Sequence, residues 1–230
     1  MKKIYLLAII LLAFSVYMGC KKDDNNDNSF NACPGTPSVT YEGQVYNTVL
    51  IGNQCWFREN LNVGTIIKGK DEMTDNGVIE KYCYDNNPAN CDEYGGLYQW
   101  NEMMEYDTTA GVQGICPSGW HLPTDIEWIS LVDFLGGKFI ADLKMKEVGT
   151  THWKLPNAGA TNESGFTALP SGRRLPNCYF YYLGYYGIFW SSNKYNTDNA
   201  WSRSLHFDDD GVYRNFNDKE HGFSVRCLQD

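Results

Sequence analysis

The sequence predicts a domain that combines short β-strands and ordered loops with a few helices. The chain of 230 residues contains 16 Tyr, 7 Trp and 22 Gly, and this composition favours strands and turns over a helical bundle. One segment, which begins at Thr124, carries clear helix signals. Residues 200–217 alternate between apolar and polar side chains, as the two strands of a hairpin do.

Short strands are expected near the start of this domain. Gly43 and the pair Gly52-Asn53 supply the turns between them. The predicted strands cover residues 39–42, 44–51 and 55–59.

The next part of the chain has weaker signals. Residues 64–95 contain scattered Gly, Asn and Asp, which predicts a loop. Residues 96–104 are expected to form a short helix with Leu97, Trp100 and Met104 on one face.

The helix after Thr124 has the strongest start signal. Thr124 and Glu127 have the spacing of a capping box, in which each side chain bonds the other's backbone N–H. Gly136 and Gly137 predict its end, because glycine readily adopts the left-handed conformation that follows a helix. A second short helix is expected over residues 139–147.

The C-terminal part is predicted to be strands and loops. Residues 208–211, Asp-Asp-Asp-Gly, supply the turn of the hairpin over 200–217. Residues 222–228 are expected to form the final strand. We find no internal repeat and no domain boundary after the N-terminal tether.

The first 19 residues predict a signal peptide. Lys2 and Lys3 precede an apolar run over residues 4–18, and Gly19-Cys20 follows it as in a bacterial lipobox. Cleavage there would leave Cys20 as a lipidated N-terminus. Tyr17 stands where a lipobox usually has Leu, so an ordinary signal peptide or an uncleaved anchor are the alternatives.

Residues 20–38 are expected to be a lipidated N-terminus followed by a flexible polar tether. Residues 21–28 contain no apolar side chain and cannot bury surface. They also resemble the acidic signals of surface-exported lipoproteins of Bacteroidetes-type bacteria. We therefore expect a lipid anchor in the bacterial outer membrane with the domain, residues 39–230, facing outward.

The net charge of −9 argues against nucleic acid or an anionic membrane surface as a partner. Membrane contact is expected through the N-terminal lipid only.

An exported protein should oxidise most of its cysteines. With Cys20 lipidated, seven remain, and Cys178 is the expected odd one. No CxxC and no four-ligand zinc spacing occurs. The expected disulfides are Cys83–Cys91, which closes a short Asn/Asp-rich loop, Cys116–Cys227, which ties the helix region to the last strand, and Cys33–Cys55.

Residues 116–137 raise the question of catalysis, because Cys116, His121 and Asp125 lie within ten positions. The structural interpretation is favoured: Cys116 as a disulfide partner, His121 packed in an extended segment, and Asp125 at the positive end of a helix. No GxSxG, HExxH or phosphate loop supports catalysis elsewhere. We expect a protein that is not an enzyme.

Six segments of the sequence carry a family resemblance. In chain order they are VYNTVLIGNQCWFRENLNVGT, YGGLYQWNEM, CPSGWHLPTDIEW, THWKLPNAGATNESGFTALPSG, FWSSNKYNTDNAWSRSLHF and HGFSVRCLQD. They resemble the Fibrobacter succinogenes major paralogous domain family over residues 39–230. That family occurs in exported and lipidated bacterial proteins and has no established activity.

The closing segments are also similar to the C-type-lectin-like fold, which formylglycine-generating enzymes share. This resemblance implies an α+β domain with two helices packed on short, twisted antiparallel strands. The sugar-binding motif of true lectins is absent, since residues 155–157 and 175–177 read Leu-Pro-Asn. The paired catalytic cysteines of the enzymes cannot be placed either; Cys116 and Cys227 look like cysteines of the fold.

Residues 179–190 form the densest aromatic stretch, and two interpretations of it stay open. Phe189 and Trp190 are expected in the core. The tyrosines before them would either stabilise the fold or offer flat faces and hydroxyls to a ligand. The ligand-binding candidates are Tyr181, Tyr182, Tyr185 and Tyr186.

No cofactor is expected. Asp208, Asp209 and Asp210 are weak calcium candidates, and the hairpin turn explains them more simply. Each of Arg203, Arg214 and Arg226 is expected to pair with a carboxylate or a carbonyl.

These observations favour a surface-tethered binding module for a glycan or a protein, held by loops on a lectin-like scaffold. The alternative is a structural or assembly subunit of a cell-surface complex. A remote alternative is an enzyme of the formylglycine-generating type.

Overall fold

The computed structural model of the chain describes residues 30–230. The predicted signal peptide, Cys20 and the acidic part of the tether lie outside the described residues. Strands and helices are mixed, which confirms the α+β class. Within residues 30–230, no helix combines the length and the apolar character needed to cross a membrane.

Twelve strands and four α-helices are formed by the described residues. The helices are α1 (Pro88–Tyr94), α2 (Trp100–Met103), α3 (Asp125–Phe134) and α4 (Lys138–Met145). The strands are β1 (Ser38–Tyr41), β2 (Gln44–Ile51), β3 (Gln54–Phe57), β4 (Thr65–Ile67), β5 (Glu80–Tyr82), β6 (Trp120–His121), β7 (Ser171–Arg174), β8 (Phe180–Leu183), β9 (Tyr186–Lys194), β10 (Asn199–His206), β11 (Tyr213–Asp218) and β12 (Leu228–Gln229).

The largest sheet has the order β1-β2-β3-β12-β6. Its antiparallel neighbours β1, β2 and β3 confirm the three strands predicted at the start of the domain. The last strand lies inside the sheet, because Leu228 is paired with Trp56 of β3 on one side and with His121 of β6 on the other. The two ends of the described chain therefore meet in one sheet.

A second sheet has the order β11-β10-β9 and contains the predicted hairpin. Both pairings are antiparallel, and Ser204 of β10 lies opposite Tyr213 of β11 and Ile188 of β9. Successive residues of β9 enter two different core clusters, Trp190 on one face and Phe189 on the other. This strand divides the core, and both residues are buried as predicted.

Helix α3 begins with the predicted capping box. The Thr124 hydroxyl accepts a hydrogen bond from the Glu127 N–H, and the Glu127 carboxylate accepts one from the Thr124 N–H. Gly136 and Gly137 end the helix with φ values of 110° and 88°. Trp128 and Leu131 are buried.

Three disulfides join the predicted pairs: Cys33–Cys55, Cys83–Cys91 and Cys116–Cys227. Cys178 is the free cysteine of residues 30–230. Cys33 is buried, and the carbonyl of Asn31 accepts a hydrogen bond from the Leu50 N–H. Residues 30–38, which the sequence predicts to be part of the tether, therefore contact the folded domain.

The loop predicted over residues 64–95 is wrong in part. It contains the parallel pair β4–β5 and helix α1. The sequence did hold a start signal for α1, since Asn87 caps it and Pro88 occupies its first turn. Residues 30–230 form four α-helices, where the resemblance implied two.

Two predicted elements are shorter than expected. The helix over residues 96–104 is reduced to α2, although Leu97, Trp100 and Met104 are all buried. The strand over residues 222–228 is regular only at its end. Before it, residues 222–224 form isolated β-bridges to three different partners, so this segment does not form one continuous strand.

Candidate ligand-binding site

The predicted ligand-binding tyrosines lie on strand β8 of the β7–β8 hairpin and in the turn that leads into β9; we call residues 171–186 the tyrosine hairpin. Its strand β8 pairs with β7, with Arg173 opposite Tyr181. Tyr182 has a φ of 71°, so the strand bends there. A Cβ atom at Gly172 would lie 2.6 Å from the carbonyl oxygen of Tyr181, which makes a glycine necessary for this close approach.

Most of these tyrosines are accessible. Tyr179 is 65% exposed, Tyr181 43%, and Tyr182 and Tyr185 39% each. Tyr186 is half-buried. The candidates therefore lie at the surface, while the core residues of the same stretch start at Gly187.

Four rings form a continuous stack, which we call the ring ladder. Tyr182 stacks on Tyr186 with ring centroids 4.5 Å apart, and Tyr186 stacks on His206 at 4.3 Å. His206 then stacks on Tyr213 at 5.0 Å. The inner rings, Tyr186 and His206, are each stacked between two neighbouring rings. A ligand would therefore meet mainly their edges and hydroxyl groups.

A cation lies at each end of the ring ladder. The guanidinium carbon of Arg173 is 5.0 Å from the Tyr182 ring centroid, and the Lys138 ammonium is 3.7 Å from that of Tyr213. Such contacts stabilise a cation over a ring face by about 0.5–1 kcal/mol at exposed sites. The outer faces of the ladder are therefore occupied as well.

Tyr181 and Tyr185 differ from the ladder residues. Tyr181 lies 6.0 Å from Tyr182 in a tilted arrangement, and Tyr185 meets Phe207 edge to face at 5.0 Å. Neither ring is stacked face to face within the described structure. The four candidates thus divide into two with free ring faces and two that build the ladder.

A row of amides adjoins the ladder on β10 and β11. Asn215 donates to the Ser204 hydroxyl at 3.1 Å, and Asn217 donates to the Ser202 hydroxyl at 2.8 Å. Ser204 is also within 3.2 Å of a ring nitrogen of His206, which makes the row continuous with the ladder. The amide oxygens of both asparagines accept no hydrogen bond from residues 30–230 and are available to a ligand.

Sequence reasoning missed this row. The signal was present as two serines two residues apart and two asparagines two residues apart on the legs of one hairpin. Such spacing places side chains on one face of a sheet.

The comparison with known families can now be added. The model of the Fibrobacter succinogenes major domain matches residues 49–229. The chain belongs to this family. The matched residues of this Fibrobacter-type domain include the tyrosine hairpin, the ring ladder and the amide row. No curated protein and no solved structure matches the chain.

The charge state of the ladder follows from its surroundings. Burial lowers the pKa of His206, so this ring is neutral at pH 7. The hydroxyl of Tyr213 donates to Asp209, which lowers the pKa of that carboxyl. The His206 ring is therefore uncharged at pH 7, and the positive charge of Arg173 and Lys138 lies at the two ends of the ladder.

The calcium candidates do not form a ligand cluster. Asp209 accepts hydrogen bonds from Tyr213 and from the Asp210 N–H, as expected in a turn. In the described part of the chain, no three His, Cys, Asp or Glu side chains are arranged to hold a metal ion. Calcium binding stays a prediction that this geometry does not favour.

The three residues that raised the question of catalysis each have other partners in this Fibrobacter-type domain. Cys116 is in a disulfide, and His121 lies between Glu127 and Asp230 at 3.0 and 2.8 Å. Asp125 binds Arg203 and Arg214. The stretch therefore presents no free nucleophile beside a base.

Proposed function

We propose that the protein is a surface-tethered binding module that recognises a glycan through the tyrosine hairpin and the adjoining amide row. The observation that carries this proposal is the exposure of two unstacked rings, Tyr181 and Tyr185, next to a ring ladder that continues into a row of unpaired amide oxygens. Sugar rings offer C–H faces for stacking and hydroxyl groups for hydrogen bonds, and this surface offers a partner for each.

We further propose a C-type-lectin-like scaffold and a lipid anchor at Cys20 in the outer membrane, with the domain facing outward. The mixed α+β architecture and the three disulfides support an exported domain whose loops hold the ligand. Protease added to intact cells should then remove the domain. Full protection would place it inside the envelope.

One observation favours the second candidate function, an assembly subunit. At the corner between α3 and α4, Phe134, Phe139 and Ile140 are 64%, 60% and 45% exposed. Exposed apolar groups of this size mark protein contacts when they form a patch. A protein partner at this corner is compatible with a glycan site elsewhere on the domain.

A glycan array with the full-length protein, with and without EDTA, tests the proposed function. Binding should be lost in Tyr181→Ala and Tyr185→Ala, and it should persist in Tyr195→Ala, which removes another exposed tyrosine, at the start of the β9–β10 connection. Loss with EDTA would establish calcium dependence. A blank array would overturn glycan recognition, and cross-linking on intact cells would then test the assembly role.

A further inference from the structure

A cavity of about 560 Å³ lies against the outer strand of the tyrosine hairpin. It opens between the start of β8 and the loop over residues 68–70. Polar and aromatic side chains line it together, which is unlike an apolar docking groove. The main lining residues are Lys68, Lys70, Asn86, Asn177, Tyr179 and Phe180.

The loop over residues 68–70 is fixed in place. A Cβ atom at Gly69 would lie 2.6 Å from the Phe180 ring, so only glycine lets the loop pack so closely on β8. The Gly69 N–H donates to the Asn86 side chain at 2.6 Å, and the Gly69 carbonyl accepts from Arg174. Lys68 and Lys70 are exposed on either side of this anchored glycine.

Positive charge accumulates here in an acidic protein. Neither Lys68 nor Lys70 forms an ion pair with any carboxylate of residues 30–230, and Asp85 is the one acidic residue among those lining the cavity. The chain as a whole carries −9, whereas the charged residues that line this cavity are two unpaired lysines and one aspartate, so the lining itself has a positive balance.

We propose that this cavity is the subsite for a negatively charged sugar unit, one that carries a carboxylate or a sulfate group. The ammonium groups of Lys68 and Lys70 would hold the anion, and the amides of Asn86 and Asn177 would bond hydroxyl groups. Tyr179 offers a ring face at the rim. This inference rests on the proposed function, because the next sugar unit of the same glycan would stack on Tyr181.

The test uses the full-length protein on an array that holds neutral, uronate-bearing and sulfated glycans. We expect binding to concentrate on acidic glycans and to weaken as salt is raised. Lys68→Gln/Lys70→Gln should lower that binding about ten-fold, the effect of losing about 1.4 kcal/mol. The control Lys194→Gln, at the end of β9, should bind as the wild type does. The uronate and sulfate arms show which anion is preferred.

Failure of this inference differs from failure of the proposed function. Binding confined to neutral glycans, lost in Tyr181→Ala and unchanged in the lysine variant, would overturn the acidic subsite and keep glycan recognition. A blank array would overturn both.

The free thiol of Cys178 gives a second readout, because it lines the same cavity. A saturating acidic glycan should slow the alkylation of Cys178 by iodoacetamide about ten-fold. Mass spectrometry of the peptide that contains Cys178 measures the rate of this reaction. An unchanged rate with bound glycan would place the acidic sugar elsewhere and overturn the assignment.

Discussion

Arg203 of β10 and Asp125 of α3 form an ion pair with a nitrogen–oxygen distance of 2.8 Å. Arg203 is almost completely buried, so its charge depends on this partner. Arg214 of β11 binds the other oxygen of the same carboxylate at 2.8 Å. One aspartate therefore connects the first turn of a helix to two neighbouring strands.

Replacing Asp125 should destabilise the fold strongly. Asp125→Asn leaves the Arg203 guanidinium buried without a counter-charge, and breaking such a pair costs about 3–5 kcal/mol when both groups are fully buried. Because Asp125 is partly exposed, we expect a value near the lower end of that range. Urea unfolding measures it. Asp133→Asn, on the exposed side of the same helix, is the matched control and should change stability by less than about 0.5 kcal/mol.

The same ion pair predicts an acid-dependent loss of stability. Burial disfavours the charged form of Asp125, but hydrogen bonds from Arg214 and Arg203 outweigh it and lower the pKa of this carboxyl. A lowered folded-state pKa gives stability that is present above the unfolded value of about 3.9 and is lost as the pH falls through the folded value. The difference between wild type and Asp125→Asn should therefore shrink below about pH 4. A difference independent of pH would contradict this assignment.

His152 should give the opposite pH dependence. Its ring lies between Glu147, at 2.8 Å, and Glu93 of α1. Burial lowers the pKa of His152 in part, but the hydrogen bonds to the two glutamates outweigh burial and raise it. This stabilisation is fully present below the unfolded value of about 6.5 and is lost as the pH rises through the folded value.

The variant His152→Gln checks this directly. At pH near 6 it should be less stable than wild type by about 1 kcal/mol or less, since both glutamates are partly exposed. That gap should close as the pH rises above about 7. Comparing the two proteins at each pH cancels the other histidines, and a gap that widens with pH would refute the prediction.

The two disulfides that differ most in span should differ in their contribution to stability. Cys116–Cys227 joins residues 111 positions apart, whereas Cys83–Cys91 spans 8. The longer loop restricts the unfolded chain more. Removing the Cys116–Cys227 disulfide should therefore lower the free energy of unfolding by about 4–5 kcal/mol, against about 2–3 kcal/mol for Cys83–Cys91. Denaturant unfolding of the two paired Cys→Ala variants tests this. Equal losses would show that loop length does not govern these bonds.

The ring ladder separates structural from binding roles among the tyrosines. Tyr182→Ala removes the stack on Tyr186 and should destabilise the domain by about 1 kcal/mol or more. Tyr181→Ala should change stability by less than about 0.5 kcal/mol and reduce glycan binding. Thermal unfolding and binding are measured on both proteins. A large stability loss in Tyr181→Ala would make it part of the fold instead.

Labelled palmitate tests the proposed anchor at Cys20. The label should enter the wild-type protein and be absent from Cys20→Ala, because the lipobox predicts acylation of that cysteine. Cys178→Ala is the matched control and should keep the label. Label that persists without Cys20 would refute the lipobox prediction.

Local signals in the sequence predicted much of this fold. The Thr124 capping box, the hairpin over 200–217 and the Cys83–Cys91 pair depend on short spacings, whereas the Cys116–Cys227 prediction depends on the expected proximity of the helix region and the last strand. The pairing of Thr65 with Glu80 in β4 and β5 depends instead on parallel alignment across an intervening loop. A three-residue strand carries no periodic signal of its own, so this pair could not be predicted.

The candidate site was likewise predictable only where its signal was local in the sequence. The tyrosines were identified from composition alone, but their different roles follow from His206 and Tyr213, which lie on other strands of the fold. The bend at Tyr182 sends its ring onto Tyr186, and no local pattern indicates a positive φ at a tyrosine. The cavity beside Lys68 was missed because its lining comes from residues 68–86 and 177–180, which are far apart in the chain.

The position of β12 has a consequence for incomplete chains. Because Leu228 lies between β3 and β6, the last strand of the described residues fills the interior of the sheet. A translation product that stops before Cys227 would leave Cys116 with a free thiol and two strand edges without their common neighbour. Premature termination or C-terminal clipping would therefore separate β6 from the three strands β1, β2 and β3 instead of trimming the edge of the sheet.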